Sequence, residues 1–276
     1  DPANDVEQIW IAEGTYKPRA ELEPGDARSA SFALVDRVTL YGGFAGVETT
    51  LDQRDVSNRI TTLSGDLGQP DDKTDNAYTV VYCGADVEAG IDGVVITGGN
   101  ANGSGSSSHP ERRYGGGIYS PGTLTVAGST VAGNSASRGG GVYSSRTVTV
   151  IGSILSCNSA NSYGGGIYSS GTLTINNSTL AGNSASRGGG VYSSRTVTVI
   201  GSTLSGNSAF YYGGGIYSSG ALTINNSTLA CNLANSYGGG IYSSGTLTIN
   251  SSTLAGNSAS RGGGVYSSGT TSSASL

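Results

Sequence analysis

Groups able to perform acid–base chemistry are confined to the first part of this 276-residue chain. All 19 Asp and Glu residues, and the single histidine, His109, lie within residues 1–111. General acid–base catalysis therefore has no proton donor or acceptor of suitable pKa in residues 112–276. The sequence predicts that the protein is not an enzyme, with no catalytic residues and no cofactor.

A cluster of aspartates in the acidic part has the residue type of a metal site. Asp66, Asp71, Asp72 and Asp75 fall within a turn-rich segment, and carboxylate oxygens are ligands that Ca²⁺ prefers. Their spacing matches no known calcium-loop motif, and a solvated acidic loop explains them more simply. We predict no metal site, and these four aspartates are the candidate ligands if Ca²⁺ does bind.

Tyrosines recur at one fixed place in the second part of the chain. Each follows an Ile or Val that should point inward, so each tyrosine should point outward from a strand. Two interpretations are open: an aromatic strip that binds glycans or a partner, or Tyr–Tyr stacking that stiffens the protein. The tyrosines are Tyr119, Tyr143, Tyr168, Tyr192, Tyr217, Tyr242 and Tyr266.

A second column of residues mixes arginine with tyrosine. It precedes a recurring Gly triplet, and Arg beside Tyr at this spacing favours cation–π stacking while separating like charges. Arg146 and Arg195 repeat the same logic at another position. We predict a mainly structural role for this column, whose members are Tyr114, Arg138, Tyr163, Arg187, Tyr212, Tyr237 and Arg261.

Threonine pairs form a third regular pattern. Thr-x-Thr begins at Thr123, Thr147, Thr172, Thr196 and Thr246, and one unit has Ala221 instead. Outward Thr pairs on a flat sheet resemble the ice-facing arrays of β-solenoid antifreeze proteins. Threonine is also an ordinary outward residue of a strand, so ice binding is an alternative function and not the main prediction.

These columns follow from an internal repeat, which determines the architecture. The Gly triplet recurs every 24 or 25 residues from 115–117 to 262–264. Alternation of apolar and polar residues predicts strands at 167–168, 172–175 and 178–180. A unit this short buries its apolar edge only by stacking on its neighbours, at about 4.8 Å per coil. The sequence thus predicts an all-β fold, a right-handed parallel β-helix (β-solenoid) with three short strands per coil of about 24–25 residues.

The repeat also predicts the organisation of the chain. Residues 1–98 form irregular N-terminal coils with longer acidic loops, 99–113 a Gly/Ser-rich loop, and 114–276 the regular repeats of one continuous solenoid. Further strands are predicted at 9–12, 32–35, 38–41, 60–64, 79–83 and 94–97. The inward-facing residues of two representative coils are predicted to be Ile118, Leu124, Val126 and Val131, and Ile167, Leu173, Ile175 and Leu180.

Two groups of motifs carry a resemblance to known families. The Gly-Gly-Gly-Ile/Val-Tyr element and the Leu-x-x-Asn element, as in Leu180–Asn183, resemble the repeats of chlamydial polymorphic outer-membrane proteins, with Leu in place of Phe. Segments such as 9–16, 40–46 and 92–103 are similar to bacterial extracellular proteins with a pectin-lyase-like β-helix. The resemblance implies the same fold and a secreted or cell-surface location. Members usually begin with a further strand and a capping helix, so we expect this chain to be a segment of a longer precursor.

Charge and cysteine content bear on partners. Residues 1–111 carry a formal charge of −12, from seven basic and 19 acidic residues, whereas 112–276 carry seven arginines and no acid. Such a molecule can attract its own copies head to tail.

The three cysteines leave at least one unpaired, and Cys157 and Cys231, three coils apart, are too distant to bridge. No segment is apolar enough to span a membrane.

The predicted function combines these points. It is a structural β-solenoid at the cell exterior, either a self-assembling filament subunit or an adhesin stalk. Carbohydrate binding through the Tyr column is the alternative beside ice binding. Glycans or host surfaces are possible partners, and nucleic acid is not.

Overall fold

The computed structural model describes residues 6–70, 72–104 and 108–274, and it shows a parallel β-solenoid. Its strands stack into four parallel sheets. Sheet 1 has ten strands: Gln8–Ala12, Thr39–Phe44, Glu88–Asp92, Thr123–Ala127, Val148–Ile151, Leu173–Asn176, Val197–Ile200, Leu222–Asn225, Leu247–Asn250 and Thr271–Ala274. Sheet 2 has nine: Phe32–Ala33, Val81–Tyr82, Ile118–Ser120, Val142–Ser144, Ile167–Ser169, Val191–Ser193, Ile216–Ser218, Ile241–Ser243 and Val265–Ser267.

The other two sheets complete each coil. Sheet 3 has nine strands: Gly14–Tyr16, Thr61–Ser64, Val95–Thr97, Thr130–Ala132, Ile154–Ser156, Thr179–Ala181, Thr203–Ser205, Thr228–Ala230 and Thr253–Ala255. Sheet 4 has six: Asn100–Ala101, Ser135–Arg138, Ser159–Tyr163, Ser184–Arg187, Ser208–Tyr212 and Leu233–Ala234. Short 3₁₀ helices lie at Ala27–Ser29, Leu51–Gln53 and Pro110–Arg112. Among the described residues, no helix is long and apolar enough to cross a membrane.

The predicted parallel solenoid with three main strands per coil is confirmed. In the representative coil the strands at 167–168, 172–175 and 178–180 appear with ends shifted by about one residue. Sheet 4 was not predicted, because its Ser-Ala-Ser-Arg segments have no apolar alternation. Two strands of the irregular part were also missed, at Gly14–Tyr16 and Glu88–Asp92.

A dry core runs along the solenoid axis. The eight predicted inward residues of the two representative coils are all buried, none more than 1 % exposed. From Thr123–Ala127 to Leu247–Asn250 the strands of sheet 1 stack equal positions in register, so Leu173 lies between Val148 and Val197. Each coil therefore completes the apolar contacts of the two beside it, as the repeat length required.

Polar ladders close the corners between the sheets. The corner Asn residues from Asn134 to Asn232 are buried, and the side-chain amide of each donates to the next Asn along the axis; Asn183 Nδ2 donates to Asn207 Oδ1 at 2.9 Å. Serines at another corner repeat this, as Ser153 N donates to Ser178 Oγ at 3.1 Å. Because these buried polar groups find partners in the next coil, the corners add specificity to the stacking and not only apolar area.

The cysteines occupy two kinds of site. Cys83 is buried in the core, while Cys157 and Cys231 are exposed and unbridged. Both exposed cysteines have positive φ, 54° and 55°, in a column otherwise held by glycine. They are turn residues that accept a left-handed backbone which glycine adopts at lower cost.

Candidate functional site

The tyrosine column forms a stacked ladder on the outer face of sheet 2. Consecutive rings lie nearly parallel, with centroids 4.9 Å apart for Tyr143–Tyr168 and 4.7 Å for Tyr192–Tyr217. Tyr82 extends the ladder, because its ring stacks on Tyr119 at 5.9 Å. Tyr82 was not predicted, because it lies in an irregular coil without a Gly triplet. The sequence signal was the Val81 directly before it, and the structure pairs Tyr82 with Tyr119 in register.

The second column packs beside this ladder as alternating rings and guanidinium groups. Arg138 lies 5.3 Å from the ring centroid of Tyr114 and 5.2 Å from that of Tyr163. Arg187 lies between Tyr163 and Tyr212, at 5.7 and 5.3 Å. These distances are within the range of cation–π attraction. Arg138 and Arg187 thus each lie between two rings of the column, whereas among the described residues Arg261 lies over the ring of Tyr237 alone, at 5.5 Å.

The two columns also touch each other. Tyr114 stacks on Tyr143 at 5.0 Å, and Tyr163 stacks on Tyr192 at 4.8 Å. In the first column Tyr119 is only 7 % exposed and Tyr168 only 9 %. Ring faces are therefore covered by other rings, and a sugar that needs an open face finds little surface on this ladder.

Burial in the ladder changes how its phenols ionise. Desolvation raises the pKa of Tyr192 to about 12 and also raises the pKa of Tyr119, Tyr143 and Tyr217. In the unfolded chain a tyrosine has a pKa of about 10. The neutral phenol is thus the form that the fold favours.

Alkaline pH is expected to destabilise the protein through this ladder. Because the pKa of Tyr192 is higher in the folded than in the unfolded chain, its contribution to the free energy of unfolding is complete below pH about 10 and is lost as pH rises through about 12. The phenolate absorbance and the circular dichroism, followed together against pH, measure this. The variant Tyr192→Phe has one fewer ionising group and should lose less stability over that range. Equal losses in both proteins would contradict the assignment.

The threonine pairs lie in two outward columns on sheet 1. Thr125, Thr149, Thr174 and Thr198 pair in register. Arg146 and Arg195 are exposed at the edge of this face, directly before Thr147 and Thr196. The array is regular in spacing, but charged side chains interrupt its border, and ice binding stays a hypothesis.

The acidic residues of the first part are dispersed. Asp66 Oδ1 lies 3.7 Å from Lys17 Nζ, Asp72 accepts hydrogen bonds from Thr74, and Asp75 accepts one from Gln69 N. Asp71 lies outside the described residues. Within the described part of the chain, no group of three or more His, Cys, Asp or Glu residues is placed to hold a metal ion.

The carboxylates nearest to a surface groove lie on the outer face of sheet 1. Gly90 leaves a gap there, with Glu88 on one side and Asp92 on the other. Four residues along a strand separate the Cα atoms of Glu88 and Asp92 by about 13 Å. Asp92 also forms an ion pair with Arg54 at 3.0 Å. His109 contacts Glu23 and Glu111, outside this groove.

Comparison of the chain with protein-family models, with curated proteins and with solved structures returned no match. The likeness to chlamydial and pectin-lyase-like repeats therefore stays a resemblance.

Proposed function

We propose that this chain is a rigid structural solenoid of a secreted or cell-surface protein, acting as a stalk or filament subunit and not as an enzyme. The observation that carries the proposal is the continuity of its ladders. Backbone, Asn, Ser and Tyr contacts join every coil to the next throughout the regular repeats. A solenoid held in this way resists bending and transmits force along its axis.

The chemistry of the surface supports a non-catalytic role. The regular coils carry no carboxylate or histidine, and in the groove of sheet 1 Asp92 is engaged in an ion pair with Arg54. The stacked tyrosines offer mostly ring edges, which favours the stiffening role over glycan binding. The exterior location is supported by the resemblance to extracellular repeat proteins.

Self-association is part of this proposal. The −12 and +7 halves of the chain attract the opposite halves of other copies. The free energy of such contacts falls with ionic strength, because surface charges are screened beyond about 10 Å at 0.1 M salt.

The test combines imaging with sedimentation at low and high salt. We expect rods, since ten strands at about 4.8 Å span about 40 Å, and we expect association at low salt that disappears at high salt. Compact particles would contradict the rigid stalk. Monomers at every salt concentration would contradict self-association while leaving the stalk intact.

A further inference from the structure

One edge of the solenoid carries charges of opposite sign at different heights. This edge is the corner between sheets 2 and 1. In the irregular coils it holds Asp86 and Glu88, and in the regular coils it holds Arg146 and Arg195. All four side chains belong to exposed residues. The acidic and basic groups therefore face solvent along a single line parallel to the axis.

The two arginines border a groove with a glycine floor. Gly171 occupies the equivalent position in the coil between them, and hydroxyl residues such as Ser170 and Thr172 complete the lining. A side chain at Gly171 is excluded, because its Cβ would lie 1.8 Å from the carbonyl oxygen of Arg146. The gap between the arginines, about 10 Å for two coils, is thus built into the backbone.

The guanidinium groups of the two arginines, Arg146 and Arg195, form no ion pair in the part of the chain that the structure describes. Residues 112–276 contain no acid. Asp86 and Glu88 likewise have no ion pair within the described part. The neighbouring Asp36 differs, since it pairs with Arg37 at 3.6 Å. Two uncompensated positive and two uncompensated negative groups thus share the edge.

Their heights along the axis are self-complementary. Sheet 2 orders the coils so that the acidic corner follows Val81–Tyr82 and the Gly171 corner follows Ile167–Ser169, three coils later. When two copies lie antiparallel, the acidic corner of the first can face the Gly171 groove of the second while the acidic corner of the second faces the Gly171 groove of the first. A single two-fold axis, halfway between the two corners, produces both contacts at once.

We infer that two copies of this chain pair side by side and antiparallel, with Asp86 and Glu88 of each copy in the groove between Arg146 and Arg195 of the other. The inference rests on the proposed self-association and defines its geometry. Guanidinium groups on both sides can donate to the carboxylates. Because the contact is isologous, it closes at the dimer, whereas a head-to-tail contact would continue into a filament.

Charge reversal tests the pairing with the full chain, under reducing conditions and at low salt. Sedimentation equilibrium would compare the wild type with Arg146→Glu/Arg195→Glu and with Asp86→Lys/Glu88→Lys. Each variant alone places like charges in contact, so we expect its dimerisation to weaken at least tenfold. Mixing the two variants restores both contacts, and a heterodimer should form. The variant Arg19→Glu/Lys73→Glu changes the net charge as Arg146→Glu/Arg195→Glu does, but at exposed residues elsewhere, and should dimerise normally.

The outcomes separate this inference from the broader proposal. Failure of the mixed variants to dimerise, with both still folded by circular dichroism, would overturn the pairing. So would association that continues beyond the dimer through the same residues. Association insensitive to all three variants would overturn the pairing and leave self-association in place. A monomeric wild type at low salt would remove both and leave the stalk.

Discussion

Replacing Gly189 with alanine is expected to lower the free energy of unfolding by about 4 kcal/mol. Gly189 is the middle residue of a Gly triplet, where the chain passes close to the next coil. An added Cβ would lie 2.3 Å from the carbonyl oxygen of Ser208 and 2.6 Å from that of Gly214. Backbone atoms cannot move aside as a flexible side chain does, so adjacent coils must separate.

Urea denaturation followed by circular dichroism measures this loss, and Gly206→Ala is the matched control. At Gly206 an added Cβ meets no atom within 4 Å, but φ is 61°. The control should therefore lose only about 1 kcal/mol, the cost of a left-handed residue with a side chain. Similar losses for the two variants would show that close approach of the coils does not explain the Gly triplets.

The second large effect is expected at the buried asparagine ladder. Asn183 is 0 % exposed, and its Nδ2 donates to the oxygens of Leu155 and Asn207, both at 2.9 Å. Its Oδ1 accepts from the backbone and side-chain nitrogens of Asn158. Asn183→Ala removes these four hydrogen bonds and takes the side-chain acceptor from the buried Asn158 N–H, although Asn207 Oδ1 still accepts from Asn183 N and Asn158 Nδ2 still donates to Val131 O. We expect a loss of about 3 kcal/mol.

Thermal and urea unfolding measure this second loss, with Asn177→Gly as the control. Asn177 is exposed and has φ of 47°, so glycine relieves a backbone cost and stability should stay equal or rise slightly. Hydrogen exchange of the amides near Asn158 and Asn207 should increase in Asn183→Ala, because each coil depends on its neighbours. A loss confined to the substituted coil would argue against ladder coupling.

The ladder tyrosines illustrate how far a periodic sequence can be interpreted. Their recurrence predicted one outward column, since side chains alternate across a strand. Stacking between that column and the Arg/Tyr column, as in Tyr114–Tyr143, was not predictable. It depends on how sheet 4 bends into sheet 2, and the Gly triplet between them carries no side chain from which the angle could be inferred.

The repeat alone determined the solenoid, the three main strands per coil and the inward column, because a unit of 24 or 25 residues must stack to bury its apolar side chains. The residue types of the repeat also showed that the regular coils carry no carboxylate or histidine. Only the tertiary structure brought Tyr82 into the ladder and placed Asp86 and Glu88 on the same edge as Arg146 and Arg195. In the irregular coils the number of residues in each corner varies, so the spacing along the sequence no longer tells which residues lie above one another or on which edge of the solenoid they lie. Backbone hydrogen bonds between stacked coils determine those positions whatever the corner lengths are.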